Sequence, residues 1–242
     1  MSVSPAAPSS ASLVHRSDAA RYAPLLVGLL LALPLWYLAH ALDFAWAGAL
    51  FRWEGGQWAL KHHPLLEGAL HRGGRLASQA AWLCLLLAAA TCWRRPAARA
   101  WTRPAARLLL ATLASTLLVA WLKSVTRMDC PWDLAGFGGT QPFVALFEAR
   151  PAQWGHPACF PAAHAATGYA WVALYFFFAA VRPAWRHAGL GVGLAAGLAF
   201  GLAQQMRGAH FLSHDVASLL LCWLVACAVD AFVPRGAAEG RR

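Results

Sequence analysis

The stretch Gln204-Gln205-Met206-Arg207-Gly208-Ala209-His210-Phe211-Leu212-Ser213-His214-Asp215 interrupts two long apolar runs. It sets one Arg, two His and one Asp within nine residues. Ionisable groups at the edge of a hydrocarbon slab are costly, and in membrane proteins they mark a functional path or site. Arg207, His210 and His214 recur at spacings of three and four, so on a helix they share one face. A permanently charged fork beside two imidazoles suits phosphate chemistry, the guanidinium holding oxygens while an imidazole attacks or shuttles protons. Taken alone, the stretch fits equally a juxtamembrane cap that carries His and Arg by chance.

Outward from that stretch, the chain of 242 residues is 60% hydrophobic and 12% charged. A soluble domain carries about twice that charged fraction. The apolar residues fall into six blocks, Ala23–Leu42, Leu76–Trp93, Ala105–Leu122, Pro161–Val181, Ala188–Met206 and Val216–Val233. Each is close to the ~20 residues that span a bilayer as a helix. The expected fold is therefore all-α, a polytopic membrane six-helix bundle in one domain over residues 22–234. Residues 1–21, rich in Ala, Ser and Pro, are expected to be a disordered cytoplasmic segment, and 235–242 a cytoplasmic basic tail. Ala39-His40-Ala41 resembles a signal-peptidase site, but the apolar run before it is long, so an uncleaved anchor is expected. Between the first two blocks, Phe44–Arg75 carries Trp46, Trp53 and Trp58 among polar residues, the pattern of an interfacial segment. In the fifth block Gly193, Gly197 and Gly201 form a small-residue stripe that lets a neighbouring helix approach closely.

The net charge of +10 raises nucleic acid as a partner, yet the cations are scattered over loops between apolar blocks and no nucleic-acid motif appears. Topology and anionic headgroups explain them better. With the N-terminus inside, twelve Lys or Arg fall on the cytoplasmic side and eight outside, and three of the eight are Lys123, Arg127 and Arg207. Those three are argued below to serve a site, and the remaining imbalance gives N-in, C-in. Lys123, His164 and the 204–215 stretch then meet at one outer membrane face. Lys123 and Arg127 stand one helical turn apart if the third helix continues, a spacing that clamps a phosphate or equally anchors a helix end. His164 opens the fourth span after Pro161, where free backbone N–H groups and the helix dipole favour an anion.

These residues carry a resemblance. Lys123 is followed by six residues and then Cys130-Pro131, Pro161 to His164 reads Pro-Ala-Ala-His, and Gly208-Ala209-His210-Phe211 follows Gln204. In order, spacing and six-helix layout the chain resembles the type-2 phosphatidic acid phosphatase superfamily, over roughly residues 75–235. That family reads Lys, six residues, Arg-Pro; then Pro-Ser-Gly-His; then Arg, five residues, His, three residues, Asp. The resemblance implies that His210 is a nucleophile forming a phosphohistidine, that His164 is the acid for the leaving group, and that Lys123 and an Arg hold the oxygens. It implies no metal and no other cofactor. The departures are specific. Cys130 stands where the family has Arg, with Arg127 three residues earlier. Gln204 stands at the second Arg position, with Arg207 one turn later, and Ala162 replaces a hydroxyl. His214 stands at the Asp position with Asp215 directly after it. Either can orient His210, and His214 is itself a candidate nucleophile. A branch of bacterial members with Cys-Pro-Trp and His-Phe-Leu-Ser-His is similar to this chain.

The expected function is hydrolysis of a lipid phosphate or pyrophosphate at the periplasmic leaflet of a bacterial inner membrane. Candidate substrates are undecaprenyl pyrophosphate, lipid A phosphate and phosphatidylglycerol phosphate. A phosphotransferase differs only in the acceptor. Two other classes fit parts of the pattern. Metal or haem binding would use His210, His214, Asp215 and His164, against the repulsion of Arg207 and Lys123. A non-catalytic lipid transporter or scaffold would bind without turnover. Finally, Cys130 and Cys159 alone of the six cysteines fall in the outer loop, which from position predicts a disulfide tying the first motif to the second.

Overall fold

The computed structural model describes residues 10–146, 148–149 and 157–234, with side chains from residue 21 onward. The expected tail, 235–242, and the first nine residues lie outside them. Six helices are long and apolar enough to cross a membrane, and no strand forms among the described residues beyond one isolated bridge between Leu134 and Gln141.

The bundle is organised on an antiparallel pair. Helix α1, Ser10–Trp53, packs chiefly against the C-terminal helix α7, Leu212–Phe232. Arg21 of α1 donates from Nε and Nη2 to the Asp230 carbonyl at 3.0 and 2.9 Å, and from Nη2 to the Val233 carbonyl at 3.0 Å. At the other end of the pair, the Asp43 carboxylate accepts from the Ser213 amide at 2.8 Å and its hydroxyl at 2.5 Å. A cation thus closes the carbonyl end of α7 and an anion its amide end, as the helix dipole favours. The two clamps are 22 residues apart on α1, about 33 Å at helical rise, roughly a bilayer core. The outer face of α1 is lipid-like, with Leu30 and Leu33 each 75% exposed.

α1 is longer at both ends than the apolar block Ala23–Leu42 suggested. It begins at Ser10, so residues 10–21 are helical rather than without structure, their alanines being good helix formers. It also runs on through Trp53, because nothing breaks it before Gly55 and Gly56, whose φ of +83° and +76° end it. The interfacial segment expected over Phe44–Arg75 therefore shrinks to a short turn. Past it, Pro64 starts a π-helical stretch, Pro64–Gly73, that runs directly into α2, Gly74–Cys92. Its polar residues Glu67, His71 and Arg72 break the apolar run, which is why the sequence put the second span at Leu76.

The remaining spans fall near their blocks. They are α3, Arg99–Thr126, the pair α4, Ala163–Tyr169, and α5, Leu174–Val181, then α6, Arg186–Met206, and α7. A short 3-10 turn, Ala170–Ala173, makes α4 and α5 one span. The glycine stripe of α6 faces that span. A Cβ on Gly193 would enter the backbone of Trp171 and Val172, and one on Gly197 would enter the Tyr169 ring. The loop after α3 folds over the end of the bundle where α1 ends and α7 begins, with Phe137 and Leu134 packed on Ala47 and Phe211. Cys130 and Cys159 in that loop are joined by a disulfide, Cα–Cα 5.3 Å, as their positions predicted. Closing a loop of this length contributes roughly 3–4 kcal/mol on the chain-entropy account.

Candidate active site

The end of α3, the start of α4 and the turn between α6 and α7 deliver their polar groups to one end of the bundle. The last turn of α3 brings half-buried Lys123. The N-terminus of α4 brings His164, and its first amides are stitched to α7: the Ala162 amide donates to the His214 carbonyl at 3.1 Å, and the Ser218 hydroxyl to the Ala162 carbonyl at 3.1 Å.

Arg207, His210 and His214 do not lie on one helical face. α6 ends at Met206 and α7 begins at Leu212, so a turn, not the three-four spacing, assembles them. Gly208 makes that turn, at φ +71°. Its amide donates to the Gln205 carbonyl and that of Ala209 to the Gln204 carbonyl, each at 2.9 Å, closing the end of α6. A side chain there would strike the Trp58 indole as well as strain the backbone.

His164, His210 and His214 are buried. His164 lies edge-on to His71 with ring centroids 4.4 Å apart and stacks on Phe200 at 4.9 Å. Its Nε2 is 3.1 Å from the Leu70 carbonyl, which fixes Nε2 as the protonated nitrogen of the neutral ring. His210 and His214 stand with centroids 5.7 Å apart, and His214 is walled by Phe160 and Phe211. Burial first, then the His214 and Lys123 charges, push the His210 pKa well below the usual histidine value. His210 is thus a neutral imidazole at neutral pH, with a lone pair available.

Arg207 is buried yet well held. Its Nε donates to the Lys61 carbonyl at 2.7 Å, Nη1 to Gln204 Oε1 at 3.1 Å, and Nη2 lies 3.6 Å from Glu67. Gln204, which stands where the resemblance expects an Arg, thus positions Arg207 through its side-chain oxygen. Asp215 turns the other way. Its Oδ2 accepts from Gln205 Nε2 at 2.6 Å, and Gln205 Oε1 accepts from Trp46 Nε1 at 2.7 Å. A Cβ on Gly201 would overlap that carboxylate, so this glycine makes room for it. Arg127 is exposed in the left-handed conformation that ends α3, and no hydrogen bond or ion pair ties it to the described residues.

Four groups here escaped sequence reading. His71, with Leu70, comes from the π-helical stretch, Glu67 from the same stretch, Arg75 from the start of α2, and Asp43 from α1. The signal available was the density of titratable residues over 61–75, with His71 and Arg75 four apart. Several polar atoms at this spot are buried without a hydrogen-bond partner: His164 Nδ1, His210 Nδ1, both His214 nitrogens and Gln204 Nε2. Orphaned buried polar groups are costly, and a cluster of them beside two cations suits an anion. Cys130, Asp133 and Cys159 also approach one another, but the two sulfurs are bonded to each other.

No curated protein and no solved structure matches the chain. The family model of the PAP2 superfamily matches residues 104–236, which include Lys123, His164, Arg207, His210 and His214. That match covers more than half of this multi-pass membrane chain, which belongs to the PAP2 superfamily, a family of phosphatases acting on phosphate esters.

Proposed function

We propose that the protein is a lipid phosphate or lipid diphosphate phosphatase of a bacterial inner membrane, working at the periplasmic face through a phosphohistidine on His210. The observation that carries this is the set of unpaired buried imidazole and amide nitrogens beside Lys123 and Arg207. In the first step the neutral His210 nitrogen attacks phosphorus while the bond to the leaving oxygen breaks. That oxygen takes a proton from Nδ1 of His164 in its imidazolium form, the extra proton arriving with the monoprotonated phosphate of the substrate, while the Leu70 carbonyl holds the ring through Nε2–H. Lys123, Arg207 and the Gln204 amide offset the charge on the equatorial oxygens. In the second step His164 takes a proton from water, which attacks the phosphohistidine and releases inorganic phosphate. His214, at the family's Asp position and next to His210, orients the nucleophile, while Asp215 braces α6 through Gln205. A lipid substrate fits a site at the end of six spans, and the Cys130–Cys159 bond on the same side supports an oxidising compartment.

The test is phosphate release from a panel of lipid phosphates by purified protein. His210→Ala and His164→Ala should each lose several orders of magnitude without additivity, since nucleophile and acid act as a unit. EDTA should change little. Turnover surviving His210→Ala and lost in His214→Ala would move the nucleophile. Loss in EDTA restored by zinc would replace the mechanism with a metal one. A reporter active only in the periplasm should work at Gly138 and fail at Pro96, and the reverse would overturn the orientation.

A further inference from the structure

We propose that His71 and Arg75 form a second anion subsite on the leaving-group side of His164, which makes a lipid diphosphate the substrate this site fits. The inference rests on the phosphatase reading above and deepens it. One phosphoryl group is already served by Lys123, Arg207 and Gln204. His71 lies against the acid His164 at 4.4 Å, and Arg75 follows four residues later on the same helical column. Both lie outside the residues matched by the family model.

Neither has an anion of its own. Glu67, the carboxylate of this stretch, is engaged by Arg72 at 2.7 Å, His62 at 3.1 Å and Arg207 at 3.6 Å. Arg75 is exposed and makes no hydrogen bond or ion pair with another described residue. It lines instead a cavity of about 360 Å³ between α2, α3 and α4, walled by Trp82, Leu83, Leu113 and Trp171. Thr167 lines the same cavity and donates to the His164 carbonyl at 2.7 Å. The cavity therefore runs from the turn that carries the acid into apolar surroundings, and Leu83 and Leu113 on its rim are 52% and 43% exposed towards lipid.

A lipid chain in that cavity puts its own head at Arg75, which lines it, one turn from His71. The leaving group of a monophosphate ester is a neutral alcohol, to which two basic groups offer little. The leaving group of a diphosphate is itself a phosphate, and charge grows on its bridging oxygen as the bond breaks, which a guanidinium and an imidazole stabilise. In balanced form, His210 bonds to the terminal phosphorus and the bond from that phosphorus to the bridging oxygen breaks, its electrons staying on the oxygen. Water then cleaves the phosphohistidine. The products are inorganic phosphate and a lipid monophosphate.

The test uses two probes of identical chain, farnesyl diphosphate and farnesyl phosphate, with their non-hydrolysable methylene-diphosphonate and phosphonate analogues. Calorimetric titration of the purified protein in detergent should show the diphosphonate binding at least about tenfold tighter, the scale of one charge-assisted contact. Arg75→Gln and His71→Asn should each reduce that ratio, and Arg75→Lys should retain more of it than Arg75→Gln. Equal affinities, or a ratio untouched in both variants, would overturn the subsite. Selective binding without phosphate release from either probe would keep the subsite and sink the phosphatase reading. Release from both probes, slowed equally by Arg75→Gln, would do the reverse.

Discussion

Asp43 is the residue on which the position of α7 depends, and its removal should show in stability before it shows in chemistry. The carboxylate, on a residue 1% exposed, takes the Ser213 amide at 2.8 Å, the Ser213 hydroxyl at 2.5 Å and His40 Nδ1 at 3.0 Å. Asp43→Ala strands the amide and hydroxyl in a buried place. Hydrogen bonds to a charged group are worth ~1.5–3 kcal/mol each and a helix cap ~1 kcal/mol, so a non-additive total of about 2–4 kcal/mol is expected. For a chain of this size that is a fall of about 6–12 °C in Tm, on scaling drawn from soluble proteins. The assay is thermal unfolding in detergent, followed by thiol labelling of Cys222 and Cys227, which are buried on α7. Ser213→Ala keeps the amide bond and should cost about 1 kcal/mol, a useful graded control. Because α7 begins two residues after His210, kcat should fall in Asp43→Ala even well below its melting point. A variant that melts within 1–2 °C of the parent (roughly the resolution of the scale above) would refute the idea that α1 holds the end of α7.

Reduction of the Cys130–Cys159 bond, or the double Ser variant, should lower stability by roughly 3–4 kcal/mol less any strain, read as a lower melting temperature in dithiothreitol. Gly197→Ala should destabilise by at least about 1–3 kcal/mol, because its methyl enters the Tyr169 ring; an unchanged melting temperature would show that α4 and α6 can part freely. The depressed pKa of His210 sets two pH signs. In the free enzyme His210 should not limit activity until the pH is well below ~6.5, the ordinary value. The unfolded chain binds the proton that the buried ring refuses, so this group's share of stability is full above ~6.5 and lost as pH falls below it, and His210→Asn should flatten that slope.

The helices were largely legible because hydrocarbon enforces long apolar runs, and α3, the α4–α5 span, α6 and α7 sit within a few residues of those runs for α5 and α6, and within about six for α3 and α7. The two failures have one cause. Asp43 looked like the end of the first block, and Glu67, His71 and Arg75 looked like an interfacial belt. Both were judged against solvent, whereas each faces another helix: Asp43 the first turn of α7, and the 64–75 segment the His164 turn. Periodicity along one chain segment carries no information on what lies across from it. The same limit explains Arg207, His210 and His214, whose three-four spacing suggested a shared face but which are gathered by the reversal at Gly208. The rule that located 204–215, that polar groups in an apolar run must have a partner or a task, applies equally to Asp43, His71 and Arg75. Applied to them, it links α1 and the start of α2 to the proposed site as well as to the membrane, although the family model stops short of both. The divergence of the motifs then has a physical reading. On the proposed reading, where Gln204 and Cys130 stand in place of the arginines the resemblance expects, the cations at this end of the bundle are Lys123, Arg207 and, beyond the matched region, Arg75.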